Sequence, residues 1–265
     1  MITEAITDRL TNVNAKIGIS YIDLMEDQEF FWGNQQVFHG SGAIMIMALV
    51  ECFKQIEAGV LSETDVYRIA KDSPLDAEFS SYGVLRYLRD GVELSVSDLY
   101  NLMSTVSDNM AFNKLVDILG MEEINRTFSE LGYKDMHLNR KIDDEEQMKK
   151  GIQNFISIPE LAAIFHRIFR GQMISKKASK KMLTLLKQHQ RTSMIPYIFK
   201  ESVSVAHLTG FDEDIIMDGG IIFTERPFIL AIAITDMDIR KAETLMRDIT
   251  QICYMQTQRI EEPDF

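Results

Sequence analysis

Cysteine is scarce in this chain, with two among 265 residues. Neither Cys52 nor Cys253 has a partner at metal-ligand spacing, so no zinc site is expected. Cys52 lies in the apolar run 44–53 and Cys253 beside Ile252 and Tyr254, so both read as buried free thiols. Long hydrophobic runs are missing too. No stretch approaches ~18 consecutive apolar residues, so no membrane span is expected. The first ten residues, MITEAITDRL, have neither a basic start nor an apolar core of the secretory kind. A cytoplasmic location is therefore expected, with a trimmed secreted form as the alternative. Basic residues are outnumbered, 28 Lys and Arg against 40 Asp and Glu, which gives a net charge of −12. Such a field repels phosphate backbones and acidic membrane surfaces, so neither is expected as a partner. Repeats, low-complexity segments and linkers are absent. The densest acidic run, Asp143 to Glu146, is followed by Lys149-Lys150 and reads as a solvated loop.

What is present suits a globular protein: 46% apolar and 26% charged residues. Residues 2–13 carry apolar side chains at helical spacing. Residues 16–23 alternate as a half-buried strand does, and residues 29–33 read as a second strand after a turn at 25–28. The middle is helical: residues 41–58, 95–104, 108–119, 121–131, 157–169 and 175–188. In the fifth of these, Ser157 as N-cap, Pro159 and Glu160 mark the start. Strands return at 203–209, 215–224 and 227–235, the last two joined by a hairpin turn at Thr224-Glu-Arg-Pro227. A helix from Asp238 to about Arg259 closes the chain. The expected fold class is α+β. One antiparallel sheet of about five strands, drawn from both chain ends, has flanking helices and an inserted helical subdomain. The whole chain is expected to form one domain, with residues 1–60 and 195–265 as its α/β part and 61–194 as its helical part.

The chemical signal lies in three ordered segments. Phe38-His-Gly-Ser-Gly-Ala-Ile44 opens a helix. Ser107-Asp108-Asn109 follows in mid-chain. Val205-Ala-His-Leu-Thr-Gly210 lies on a late strand. A Ser-Asp-Asn tripeptide alone usually means a helix cap. The ordered set resembles the Ser-x-x-Lys, Ser-Asp-Asn and Lys-Thr-Gly motifs of serine β-lactamases and penicillin-binding proteins. Gly83, Leu131-Gly132, Leu138-x-Arg140, Asn154, Pro159, Lys187-Gln-His-Gln-Arg191 and Ile195-Pro196 extend the likeness across nearly the whole chain. The resemblance implies a β-lactamase-like fold. It implies Ser41 as nucleophile, Ser107 and Asn109 as further catalytic residues, and Thr209 and Gly210 as substrate-binding residues. Ser41 and a residue just after Gly210 would supply the oxyanion-hole N–H groups.

Three positions depart from that pattern. The first motif's lysine, one helical turn after the serine, is Ile44 here. No serine of the chain has Lys three residues on. The lysine of the third motif is Leu208. His207 is adjacent, but strand residues alternate faces, so it should point away from the site. The deacylating glutamate of class A enzymes, two residues after the Arg of Leu-x-Arg, is Ile142. Asp143 and Asp144 follow directly, and Asp135-Met-His-Leu-Asn139 is a rival match. His39 is the nearest imidazole to Ser41 in sequence and a candidate replacement base. An unactivated serine is a poor nucleophile near neutral pH. Two apolar replacements, Ile44 and Leu208, suggest that the slot has been repacked dry.

Three functions stay open. The chain is a hydrolase homologue, acting on β-lactams or related amides and esters through Ser41, with impaired or altered catalysis. Alternatively it is a non-catalytic protein binding a small or peptide-like ligand in the same cleft. In the third reading it is an interaction protein, with methionines such as Met45, Met47, Met103 and Met110 on an adaptable surface. No metal or organic cofactor is implied.

Overall fold

The computed structural model describes residues 2–70 and 82–259. Five strands form one antiparallel sheet: β1 (Lys16–Asp23), β2 (Gln28–Gly33), β7 (Ser204–Phe211), β8 (Ile215–Phe223) and β9 (Phe228–Thr235). Their order is β2-β1-β9-β8-β7, so strands from the two chain ends join where β1 pairs with β9, and β7 lies at an edge. Two small antiparallel pairs lie outside this sheet. They join β3 (Val37–His39) to β6 (Phe155–Ser157), and β4 (Val66–Ile69) to β5 (Val92–Ser95). These strands have three or four residues, too few for an alternating pattern to stand out in sequence.

Nine α-helices lie among the described residues. They are α1 (Ile2–Leu10), α2 (Met45–Glu57), α3 (Val96–Val106), α4 (Asn109–Leu119), α5 (Met121–Glu130), α6 (Glu145–Lys149), α7 (Ile158–Phe169), α8 (Lys176–Leu186) and α9 (Ile239–Gln258). None is long and apolar enough to cross a membrane. The caps follow chemistry. Ser95 and Asp98 form a reciprocal capping box at α3, and Asp108, Ser175 and Asp238 cap α4, α8 and α9. Ser157 precedes α7 as expected, but its hydroxyl makes no cap bond. The Glu160 carboxylate is occupied elsewhere, accepting the N–H groups of Lys134 and Asp135.

Two apolar cores sit on opposite faces of the sheet. Helices α1 and α9 cover one face, closing on Ile17, Ile19, Leu230 and Ile232. On the other face α7 packs against β1, β8 and β9, and the larger core continues into the helical block. Helix α2 is central there. Every residue from Met45 to Phe53 is buried, and α3, α4, α5 and α8 pack around it. Glu51 is the exception in chemistry, and it accepts hydrogen bonds from Thr127 and Gln55. Met45, Met47 and Met103 are core residues, so they form no adaptable surface. Cys52 and Cys253 are free, buried and in different cores. Burial, then Glu63 and Glu51, pushes the Cys52 thiol up to about 12, which leaves it inert.

Candidate active site

The helical block and the exposed edge of β7 enclose a cavity of about 320 Å³. Its lining brings together Gly40, Ser41, Ser107, Asn109, Ile142 and Asp143, from segments far apart in sequence.

Ser41 ends the loop after β3 and caps a 3-10 turn, Gly42–Ile44, that leads into α2. The turn presses against β7: a Cβ on Gly42 would stand 2.9 Å from the Thr209 carbonyl oxygen. A Cβ on Gly210 would stand 1.9 Å from Ser41 Oγ. Glycine at 210 is what lets the Ser41 hydroxyl lie on the strand. That hydroxyl is buried and, among the described residues, has no hydrogen-bond partner. Ile44 and Leu208 are wholly buried and belong to the larger apolar core. The positions where the family pattern places ammonium groups are filled with hydrocarbon.

The opposite wall is polar and tightly held. Ser107 ends α3 in a left-handed conformation, φ 56° and ψ 45°. For a residue with a Cβ this costs about 1 kcal/mol, and such conformations gather at functional sites. Its hydroxyl is also buried without a partner among the described residues. Asp108 fixes the turn. Its carboxylate accepts three backbone N–H groups: Val84 at 2.6 Å, Leu85 at 2.9 Å and Ala111 at 3.0 Å. Gly83 gives it room, at φ +113°, where a Cβ would fall 2.3 Å from the carboxylate. Asn109 donates to Asp143 Oδ2 at 2.9 Å. Asp143 is itself left-handed, φ 62°.

The loop carrying Asp143 is anchored below. Asn154 Oδ1 accepts the N–H groups of Asn139 and Arg140, and its amide donates back to the Arg140 carbonyl. Arg140 donates to the Ile152 and Lys141 carbonyls and to Gln153. Burial pulls this guanidinium below its ordinary value, opposed by Asp212, Asp144 and Asp143. Ile142, at the glutamate position, exchanges both backbone bonds with Asn113.

The other sequence candidates lie elsewhere. His39 is exposed, its ring edge-on to Phe155, and it does not line the cavity. Asp144 caps α6 through the Gln147 N–H, and Asp135 is exposed outside the cavity. His207 lies on the sheet face away from Ser41, bonded to Asp218 at 3.0 Å. Thr209 shares that face. Its side chain is fully buried and meets His189 Nε2 at 3.0 Å, so only its backbone and Gly210 border the site.

Sequence reading singled out neither His189 nor the cavity mouth. His189 sits behind the site, with Nδ1 at 2.7 Å from the Ser104 carbonyl and its ring edge-on to His207. A carbonyl only accepts, so Nδ1 carries the proton and Nε2 accepts from the Thr209 hydroxyl. Burial first, and His207 second, hold its pKa at about 4, so the ring is neutral at neutral pH. At the mouth the Arg191 guanidinium lies 4.3 Å above the Tyr82 ring and 5.6 Å from Phe211. Asp212 and Glu213 complete the rim. The position of Arg191 in a quoted segment was the only sequence signal for this cluster. No group of side chains suited to a metal ion occurs among the described residues.

Comparison with known proteins agrees with this arrangement. The sequence model of the Beta-lactamase enzyme family matches residues 1–257. No curated protein matches. Among solved structures, a β-lactamase from Sphaerobacter thermophilus superposes with a TM-score of 0.86 at 22% identity, covering 98% of both chains. PBP-A superposes with a TM-score of 0.86 at 20% identity, over 98% of this chain and 96% of that one. A PBP-A mutant solved as an acyl-enzyme complex with penicillin-G matches at 21% identity and a TM-score of 0.86, with the same coverage.

Proposed function

The chain belongs to the Beta-lactamase enzyme family, and from that premise we propose that its Ser41 cleft binds a small or peptide-like amide and acylates poorly, because nothing in it activates the serine. One observation carries this reading. The Ser41 hydroxyl is buried without a hydrogen-bond partner among the described residues, and positions 44 and 208 hold Ile and Leu of the apolar core. A general base within hydrogen-bond reach contributes ~10²–10⁴-fold to such reactions. The cleft keeps the rest: Ser107, Asn109 and an open-mouthed cavity of about 320 Å³, with Gly210 against Ser41. Without ammonium groups at 44 and 208, it suits an uncharged amide better than a carboxylate.

A second reading rests on Asp143, which lines the cavity and bonds Asn109. Through a water molecule it would serve as base for slow hydrolysis of an acyl-Ser41. Calorimetric titration with penicillin-G, the ligand of the PBP-A complex, and with its uncharged methyl ester tests the proposal, the ester being expected to bind more tightly. Saturable binding fully reversed by dialysis is expected. Absence of binding to folded protein sinks the ligand-binding reading. Ligand mass retained on the protein and then slowly released as penicilloate favours the second.

A further inference from the structure

Helix α8 opens with Lys176-Lys-Ala-Ser-Lys-Lys181 and carries no acidic residue, although the chain as a whole bears a net charge of −12. Lys181 is neutralised: both Glu63 oxygens lie within 2.7 Å, and the Tyr100 hydroxyl donates to the same carboxylate. Lys177 and Lys180 are exposed, three residues apart and so on one helix face, and make no ion pair among the described residues. They stand over a groove of about 450 Å³ floored by Phe53, Tyr100 and Leu185. Lys177 also feels the Glu63 carboxylate, but neither it nor Lys180 is in an ion pair among the described residues, and both border apolar ground. No residue lining this groove lines the Ser41 cavity.

We propose that this groove is a second ligand site, for a small amphipathic anion: an aromatic or alkyl body on the Phe53, Tyr100 and Leu185 floor, and one carboxylate, sulfonate or phosphate between Lys177 and Lys180. Charge complementarity selects this occupant. In an acidic chain, Lys177 and Lys180 put two exposed ammonium groups beside one apolar groove. The volume lies within the range of small-molecule sites.

The probe is 8-anilinonaphthalene-1-sulfonate, an aromatic body with one anionic group, read by its fluorescence. Single-site saturation is expected, weakening as salt rises. In Lys177→Gln/Lys180→Gln the affinity should fall at least about tenfold, as expected for losing two charge-assisted contacts. Ser41→Ala should leave it unchanged. Both lysines are exposed, so an unaltered melting temperature checks the fold of the double variant. N-phenyl-1-naphthylamine, which lacks the sulfonate, should bind far more weakly. No saturable binding, equal binding to the double variant, or loss of binding in Ser41→Ala would overturn the proposal. So would displacement of the probe by hexaglutamate at lower concentration than by laurate, since that outcome points to an acidic protein segment.

Discussion

The two walls of the Ser41 cavity differ in kind. The wall built from Ser107 to Asn109 and residues 139–154 is held by side chains that bond backbone groups. Asp108 holds three N–H groups, and Asn154 and Arg140 three contacts each. The other side is Ser41, whose hydroxyl has no hydrogen-bond partner among the described residues, backed by close packing on Gly210 and by the buried Ile44 and Leu208. On the proposed reading the polar wall is a positioning device, and the apolar side, where the family pattern places its lysines, is part of the core. The difference teaches that polar bonding and apolar packing can hold two sides of one cleft.

The contrast can be broken first from the polar side. Asp108→Ala removes a wholly buried carboxylate and strands three backbone donors. Each stranded donor costs about 1–3 kcal/mol, so a loss of about 5 kcal/mol is expected in urea unfolding. A change under about 1 kcal/mol would show that the polar wall is not what holds the turn. The dry side gives the next effect. Leu208→Lys puts an amine at a position 1% exposed. With no anion described beside it, the amine should titrate several units below an ordinary lysine, with about 4 kcal/mol lost at neutral pH. A variant as stable as the parent would mean that the slot is still wet.

His189 ties the walls together, from the Ser104 carbonyl on α3 to Thr209 on β7, and its effect is smaller. Its folded pKa of about 4 lies below the ordinary value of 6.5. Between those values the unfolded chain binds the extra proton, so stability must fall as pH drops. The contribution present at neutral pH, about 3 kcal/mol in total, should begin to go below pH 6.5 and be lost by about pH 4. Urea midpoints at pH 7 and 5 in the parent and in His189→Gln check this. An equal fall in both would clear His189 of the role.

Much of this was legible in sequence because it rests on local periodicity. β1 lies where the run 16–23 placed a strand, although it is buried from Ile17 to Asp23 and not half-buried, because both sheet faces are covered. Helices α7 and α9 carry apolar stripes. The three-segment order placed Ser41, Ser107 and Asn109 at one cavity, with Gly210 packed directly against Ser41. The short pairs β3–β6 and β4–β5 were not legible, because long-range pairing and not local pattern makes them strands. Nor was the burial of Thr209 against His189, which depends on a contact across the sheet edge. Asp143 and Asp135 were equal rivals in sequence. The backbone separates them, because the loop anchored by Asn154 turns Asp143 into the cavity and leaves Asp135 on the surface.

The central claim is that Ser41 has no activating base. Intact-protein mass spectrometry after prolonged incubation with excess penicillin-G, with Ser41→Ala alongside, addresses it most directly. The account predicts the unmodified mass for both proteins at neutral pH. A stable adduct on the parent that is missing from Ser41→Ala would contradict it by showing that Ser41 is activated.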